Sequence, residues 1–370
     1  MDAVAFQNDF QRGVQRAFYQ LINQTSKRVD IDLFVDGPLR ADVPKECSVT
    51  YRREYFPTRR SNLPLRAWNK FRKTFLSTPL KRPDVFHSTY FTLSPFRDVP
   101  QVVTVHDMIP ELHGELCGDW VHQFVSVKAR ILRAATLIIA ISKSTAVDIA
   151  TVYPDAKAKT RVVHHGADHF LPERGNSPNG SVPIEIAGPF ALFVGDRGQY
   201  KNFSAIKQAL SANTWPKELT LVIVGPQLTA EERKELERSN VFSRVRDLGR
   251  VDDMQLAKLY RQCVAFIFPS LAEGFGFPLL EAQANGAPVV CSDIPVFHEI
   301  GADSVCFFDT SKPSEIGETL QRLLEPRYRE QIKDAGRNNV LRFSWNACAE
   351  ATLQTYREAM EIGSSKRRYM

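Results

Sequence analysis

Two glutamates, Glu273 and Glu281, stand eight positions apart on either side of a Gly-Phe-Gly turn in FIFPSLAEGFGFPLLEAQANGAPVVCSDIP (266–295). The pattern predicts a strand, a loop from Ser270 to Phe277, a helix opening at about Pro278 and closing at Gly286, and a second strand. Gly274 and Gly276 let a ligand come close to the backbone. Exposed amides and the positive end of the helix dipole point into the same loop, which makes it an anion site. A carboxylate that accepts two hydroxyl hydrogen bonds clamps a vicinal diol. With Glu273 in the loop and Glu281 in the first helical turn, the string suits a phosphate between two sugars, with a ribose on Glu281 and another sugar on Glu273. Taken singly, Glu273 reads better as a solvated loop residue and Glu281 as a cap of its own helix; the whole string favours a site.

A second candidate pair closes the strand in VVTVHDMIPELHGE (102–115), where His106 and Asp107 sit at the strand end that binds ligands in open α/β sheets. The alternative is that Asp107 caps the following turn and His106 is an internally satisfied strand-end residue. His164 and His165 close another strand and read first as hinge or cleft-floor packing. Asp30-Ile31-Asp32 matches D-x-D but precedes an early strand and reads as turn chemistry. No Walker A string occurs, and Gly274-Phe275-Gly276 fails the dinucleotide fingerprint because Leu279 stands where the third glycine belongs. No metal site and no cofactor is expected.

Residues so placed need parallel strands to carry them. Apolar, β-branched runs recur at 31–35, 84–90, 101–107, 136–142 and 161–166, then at 190–195, 220–225, 244–249, 264–270, 287–293 and 305–309, with helix-like segments between. Near-continuous apolar strands of this kind are covered on both faces. LPERGNSPNGSVPIEIAGP (171–189) reads as a linker between residues 1–170 and 190–345, giving two α/β doubly wound domains. Ser142 and Ser344 are placed to cap helices. A chain of 370 residues with 43% apolar and 24% charged content is long enough for two such cores. No run reaches a membrane-spanning length, and no signal peptide is read at the start. Six cysteines without a C-x-x-C pair argue against a zinc ribbon or disulfide framework and for a reducing cytosol.

EGFGFPLLE resembles the E-x7-E signature of retaining glycosyltransferases of the GT-B fold, close to family 4, and the resemblance extends over PS-x-x-EGFG-x-P-x-x-E-A-x-A-x-G-x-P-V-V-x-S. LFVGDRGQYKNFSAIKQAL (192–210), LGRVDDMQLAKLYRQC (248–263) and the final FSW…Y helix fall in the family order. The match covers the second domain well and the first loosely. It implies two Rossmann-like domains facing a cleft, a nucleotide-sugar donor on the second domain and a saccharide acceptor on the first. Lys201 and Arg197 would meet the donor's diphosphate; the amides of Gly274, Phe275, Gly276 and Leu280 would add sugar and phosphate contacts. Glu281 would hold the ribose, Glu273 a donor-sugar hydroxyl, and the backbone from Gly249 through Arg250 to Val251 would lie near the base. His106-Asp107 resembles the HD-x-IP variant of the first-domain signature: His106 would face the donor sugar, and Asp107 would touch the acceptor or orient His106. Gly13 occupies the place of the N-terminal glycine loop, but Gln15 replaces its second glycine. The family's last helix returns to the first domain, which would place 346–370 there. Physics supports the cations independently, since a departing diphosphate gains charge that fixed cations stabilise most in the transition state.

The expected activity is hexose transfer, with GDP-mannose favoured, to a saccharide or lipid-linked saccharide in cell-envelope polysaccharide assembly. The alternatives are an epimerase or phosphorylase on the same plan and a non-catalytic partner of a transferase. Residues 52–82 hold ten basic residues against one acid, with Leu65, Trp68, Phe71 and Phe75 at roughly helical spacing. Such a helix docks on an anionic membrane surface or packs its apolar stripe on its own domain. A cytoplasmic protein peripheral to the inner membrane face fits the first. No nucleic-acid module accompanies the charge.

Overall fold

The computed structural model describes residues 1–7, 12–35, 39, 41–51, 82–118, 120–171 and 185–368. The basic stretch 52–82, except Arg82, and residues 172–184 of the expected linker lie outside them.

In the N-terminal half, strands β1 (Asp32–Val35), β2 (Ser48–Tyr51), β3 (Phe86–Ser88), β4 (Gln101–Val105), β5 (Leu137–Ala140) and β6 (Thr160–Val162) alternate with helices α1 (Arg12–Thr25), α2 (Ile109–Leu112), α3 (Val121–Ala134) and α4 (Lys143–Val152). β1 pairs with β2, and β3-β4-β5-β6 form a parallel row. Residues 1–3 join the two: the Ala3 amide donates to the Phe34 carbonyl, and the Asp2 amide to the His87 carbonyl. This first segment and β2 are the elements the sequence pattern did not separate.

In the C-terminal half, β7 (Phe190–Val194), β8 (Thr220–Val224), β9 (Val245–Asp247), β10 (Ala265–Phe268), β11 (Val289–Ser292) and β12 (Cys306–Phe308) alternate with α5 (Phe203–Ser211), α6 (Ala230–Arg238), α7 (Asp253–Gln262), α8 (Phe277–Ala284), α9 (Pro295–Gly301) and α10 (Ser314–Leu323). The sheet is parallel in the order β12-β11-β10-β7-β8-β9. Strand order therefore reverses between β7 and β10, where an open α/β sheet leaves a crevice at its carboxyl ends. The central strands β10 and β11 are buried along their whole length, and two apolar clusters cover opposite faces of the sheet. Apolar area removed from water is the main source of their stability.

α11 (Pro326–Val340) packs on α8, and α12 (Trp345–Arg368) runs back along α1, β4 and β5. Ser344 caps α12 by accepting from the Ala347 amide at 3.1 Å. Gly166 makes the crossing tight, because a Cβ there would stand 2.3 Å from the Trp345 nitrogen.

Candidate functional site

The two sequence-predicted clusters meet at the sheet reversal. The turn after β7 carries Lys201 and the loop after β10 carries Glu273. The Lys201 ammonium donates to Glu273 Oε1 at 2.6 Å, and Ser270 Oγ donates to the same oxygen at 2.8 Å. The ammonium also lies over the rings of Tyr200 and Phe268, at 5.0 and 5.6 Å from their centroids. Burial would lower the Lys201 pKa, but the Glu273 charge and Tyr200 outweigh it and hold the amine charged.

Beside this pair, Gly276 takes a left-handed conformation (φ 103°) as the N-cap of α8, and Pro278 falls in the first turn as expected. No acceptor among the described residues takes the backbone N–H of Gly274, Phe275 or Gly276, so three donors remain for an anion. The Leu280 amide closes the first helical bond onto the Gly276 carbonyl at 3.4 Å. The Phe275 side chain turns away into the core, edge-on to His165.

Glu281 is the fifth residue of α8, one position deeper than the sequence placed it, because the helix starts at Phe277 and not at Pro278. It does not cap its helix. Burial pushes its pKa up to about 7, with Arg16 countering and Asp253 adding to the rise. Among the described residues, its ion-pair partner is Arg16, with Nη1 3.7 Å away.

Arg197 stands apart from Lys201. Its guanidinium donates twice to Glu232, at 2.6 and 3.1 Å, and to the carbonyls of Pro226 and Gln227 at 2.7 and 2.8 Å. It ties the β7 turn to the β8 loop. Gly249 (φ 64°) sits in a row of glycine turns: the Gly225 amide donates to the Gly249 carbonyl, and the Gly195 amide to Val224. These glycines bring the backbones at the ends of β7, β8 and β9 close together, with the Gln227 side chain beside Gly249. Arg250 is exposed and Val251 packs partly into the core beside it. Gly13 lies in the first turn of α1, exposed, with open space where a Cβ would stand.

Across the cleft, His106 is buried. Its Nε2 meets the Thr89 carbonyl at 3.1 Å, which requires the proton on that nitrogen and leaves Nδ1 as an acceptor. Burial lowers its pKa to about 4, so the ring is neutral. Asp107 Oδ1 accepts from the Ile109 amide at 3.1 Å, the turn-capping bond weighed as an alternative, and its carbonyl accepts from buried Lys128 at 2.7 Å. Lys128 also pairs with buried Glu111 at 3.0 Å, which fixes α3 against this turn.

The halves touch at the site itself. The Gly274 carbonyl accepts from Ser142 Oγ at 2.8 Å and Thr145 Oγ1 at 3.2 Å. Glu299 on α9 accepts the Lys143 and Ser144 amides of α4 at 2.7 and 2.9 Å and pairs with His164 at 2.6 Å. A Cβ on Gly274 would stand 1.7 Å from the His106 carbonyl oxygen. Gly274→Ala should therefore hold the halves apart while leaving each folded. The expected result is a 10- to 100-fold loss of turnover, since displacement of the reacting groups by about 1 Å costs on that order. Steady-state kinetics check it.

Sequence reasoning missed Arg16, Ser270 and Glu299. Ser270 lay inside the quoted loop, but the other two act through contacts between halves that no local spacing encodes.

Two family models match: "Glycosyltransferase Family 4" over residues 11–169 and "Glycosyl transferases group 1" over residues 182–339. The chain is 28% identical over 289 residues to the O-antigen chain mannosyltransferase B of Escherichia coli, covering 74% of each. It is 27% identical to the alpha-maltose-1-phosphate synthase of Mycobacterium tuberculosis, covering 70% of this chain and 73% of that one. Sucrose-phosphate synthase from Thermosynechococcus elongatus superposes with a TM-score of 0.70 at 17% identity over 96% of this chain and 94% of the other. Anabaena HepE in complex with UDP and glucose superposes at 0.66, with 17% identity, over 94% and 97%. Both solved structures share the two-domain GT-B architecture of facing parallel sheets described above. A family 4 domain followed by a group 1 domain accounts for most of the sequence, and the chain belongs to the GT-B glycosyltransferases of this family.

Proposed function

We propose that the protein is a retaining hexosyltransferase that uses a nucleotide-sugar donor, with GDP-mannose favoured, and a saccharide or lipid-linked saccharide acceptor. The observation that carries this reading is the Lys201–Glu273 pair at 2.6 Å beside three unpartnered amides at the sheet reversal. The diphosphate lies over those amides with Lys201 on the phosphate next to the sugar. Glu281 takes the ribose and the glycine row takes the base. Glu273, held by Lys201 and Ser270, keeps its second oxygen for a donor-sugar hydroxyl, and His106 Nδ1 accepts from another. In the reaction the bond from the anomeric carbon to the diphosphate breaks and a bond to the acceptor hydroxyl oxygen forms on the same face. The acceptor's proton leaves with the departing phosphate. The charge released there is met by an ammonium and backbone dipoles already in place, so the reading needs no divalent ion.

The mannosyl preference is supported by the E. coli mannosyltransferase relative. No described helix is long and apolar enough to cross a membrane, and a lipid-linked acceptor would have to be met at a membrane surface. The test is a donor screen by mass spectrometry with GDP-, UDP- and dTDP-sugars, preceded by thermal melts. The expected outcome is selective stabilisation by one nucleotide, of about 2.7 kcal/mol at a hundredfold excess over Kd, and an α-linked product from an α-linked donor by NMR. An inverted product, or stabilisation by none of the three, rejects it.

A further inference from the structure

Arg16 belongs to α1 in the N-terminal half, yet its guanidinium lies against the C-terminal half. Nη2 donates to Asp253 Oδ2 at 2.8 Å, Nη1 stands 3.7 Å from Glu281 Oε1, and the group sits 5.8 Å above the Phe170 ring. The Asp253 side chain is 80% exposed, so that pair is weak. The Glu281 contact is too long for a hydrogen bond. Only one of the five guanidinium N–H groups is therefore bonded among the described residues. Arg197, the second cation expected at the diphosphate, spends its donors on Glu232 and two carbonyls. Among the described residues, Lys201 is the cation that remains at the glycine loop.

We propose that Arg16 is the second cation of the donor site, supplied by the opposite half: with a ribose on Glu281, its fork takes the phosphate next to that ribose. The inference rests on the reading of Glu281 and Lys201 as donor residues. A guanidinium binds two phosphate oxygens at once where an ammonium offers a point charge. The exposed Asp253 pair and the 3.7 Å approach to Glu281 are both weak enough for a phosphate to displace. The donor is thus gripped by both halves, and its binding favours the closed cleft. The phosphate beside the ribose does not change charge during transfer, so Arg16 contributes equally to ground and transition states.

GDP, UDP and dTDP are titrated by calorimetry at two salt concentrations against the parent, Arg16→Ala, Arg16→Lys, Asp253→Asn, Lys201→Ala and Glu281→Ala. For the tightest of the three nucleotides, Arg16→Ala should weaken binding about 10- to 50-fold and flatten its salt dependence. Arg16→Lys should recover part of the loss, and Asp253→Asn should bind at least as tightly as the parent. With the active donor, KM should rise while kcat stays within about threefold. Parent-like binding by Arg16→Ala, with Lys201→Ala and Glu281→Ala both impaired, overturns the role of Arg16 alone. Parent-like binding by all three rejects the donor site itself. A tenfold loss in Asp253→Asn would show that the Arg16–Asp253 pair is structural and would also overturn the proposal.

Discussion

Lys201→Ala is expected to lower kcat by about a thousandfold and to lower the melting temperature as well. The two losses have different causes. The ammonium and Glu273 are both mostly buried, with side chains 18% and 13% exposed, and only 2.6 Å apart. Removing one partner leaves a carboxylate whose remaining donor is Ser270, and breaking a buried pair in this way costs about 3 kcal/mol or more. The catalytic loss arises at the leaving group, where one fixed donor is worth about 3–4 kcal/mol in a water-poor site. A double variant, Lys201→Met with Glu273→Gln, separates them. It removes both charges, so the melting temperature should recover most of the way while turnover stays at the floor. Thermal melts and single-turnover rates on both proteins check this. A double variant that regains activity along with stability would mean that Lys201 acts only as a structural partner. Lys201→Arg should not rescue fully, because a delocalised planar fork does not reproduce the compact point charge that the ammonium presents 2.6 Å from Glu273.

The parts of this site that could be read from sequence are those carried by one continuous strand–loop–helix. Gly274, Gly276 and Pro278 determine where α8 begins, and that fixes Glu273 and the free amides relative to β10. The eleven apolar runs all appear as parallel strands because both faces of each sheet are covered, which removes the polar alternation that could have misled the reading. What stayed hidden needs partners distant in sequence. β2 is short and polar on one side, and residues 1–3 make a single bridge, so neither has a pattern of its own. Arg197 is drawn to Glu232 because the capping box of α6 places that carboxylate beside the β7 turn. Arg16 sits in a polar helix with nothing local to mark it, and only closure of the two sheets brings it to Glu281. Glu281 itself was legible as a residue, but its raised pKa follows from its burial, which is a property of packing.

Acidification should unfold the protein steeply below about pH 6, and the cause lies beneath the cleft. His87, His106 and His165 are buried together around Phe18, Phe277 and Trp345. Burial lowers His87 to about 3 and His106 to about 4, and holds His165 well below the ordinary imidazole value of 6.5. Above pH 6.5 these rings are neutral in both folded and unfolded chains and add no pH dependence. As pH falls below 6.5 the unfolded chain takes up protons that the folded one refuses, so stability is lost at about 1.4 kcal/mol per pH unit for each ring. Glu281 works the other way. Its folded pKa of about 7 lies above the ordinary carboxylate value of 4.5, so the folded protein binds that proton first and gains stability between pH 7 and 4.5. One carboxylate offsets one imidazole, which leaves a net loss of roughly 3 kcal/mol per pH unit between pH 6 and 4.5. A protein with a total stability of about 5–15 kcal/mol loses a large part of it within that interval. His169, lowered to about 4 by burial and by Arg16, adds in the same direction. Urea melts at pH 8, 7, 6 and 5 measure the slope. His165→Phe provides the control, because neither of its ring nitrogens has a hydrogen-bond partner among the described residues and the ring stacks on Phe277 at 5.2 Å. That variant should be at least as stable as the parent at pH 7 and should lose about one ring's share of the acid slope. An unchanged slope would place the acid sensitivity outside this histidine cluster.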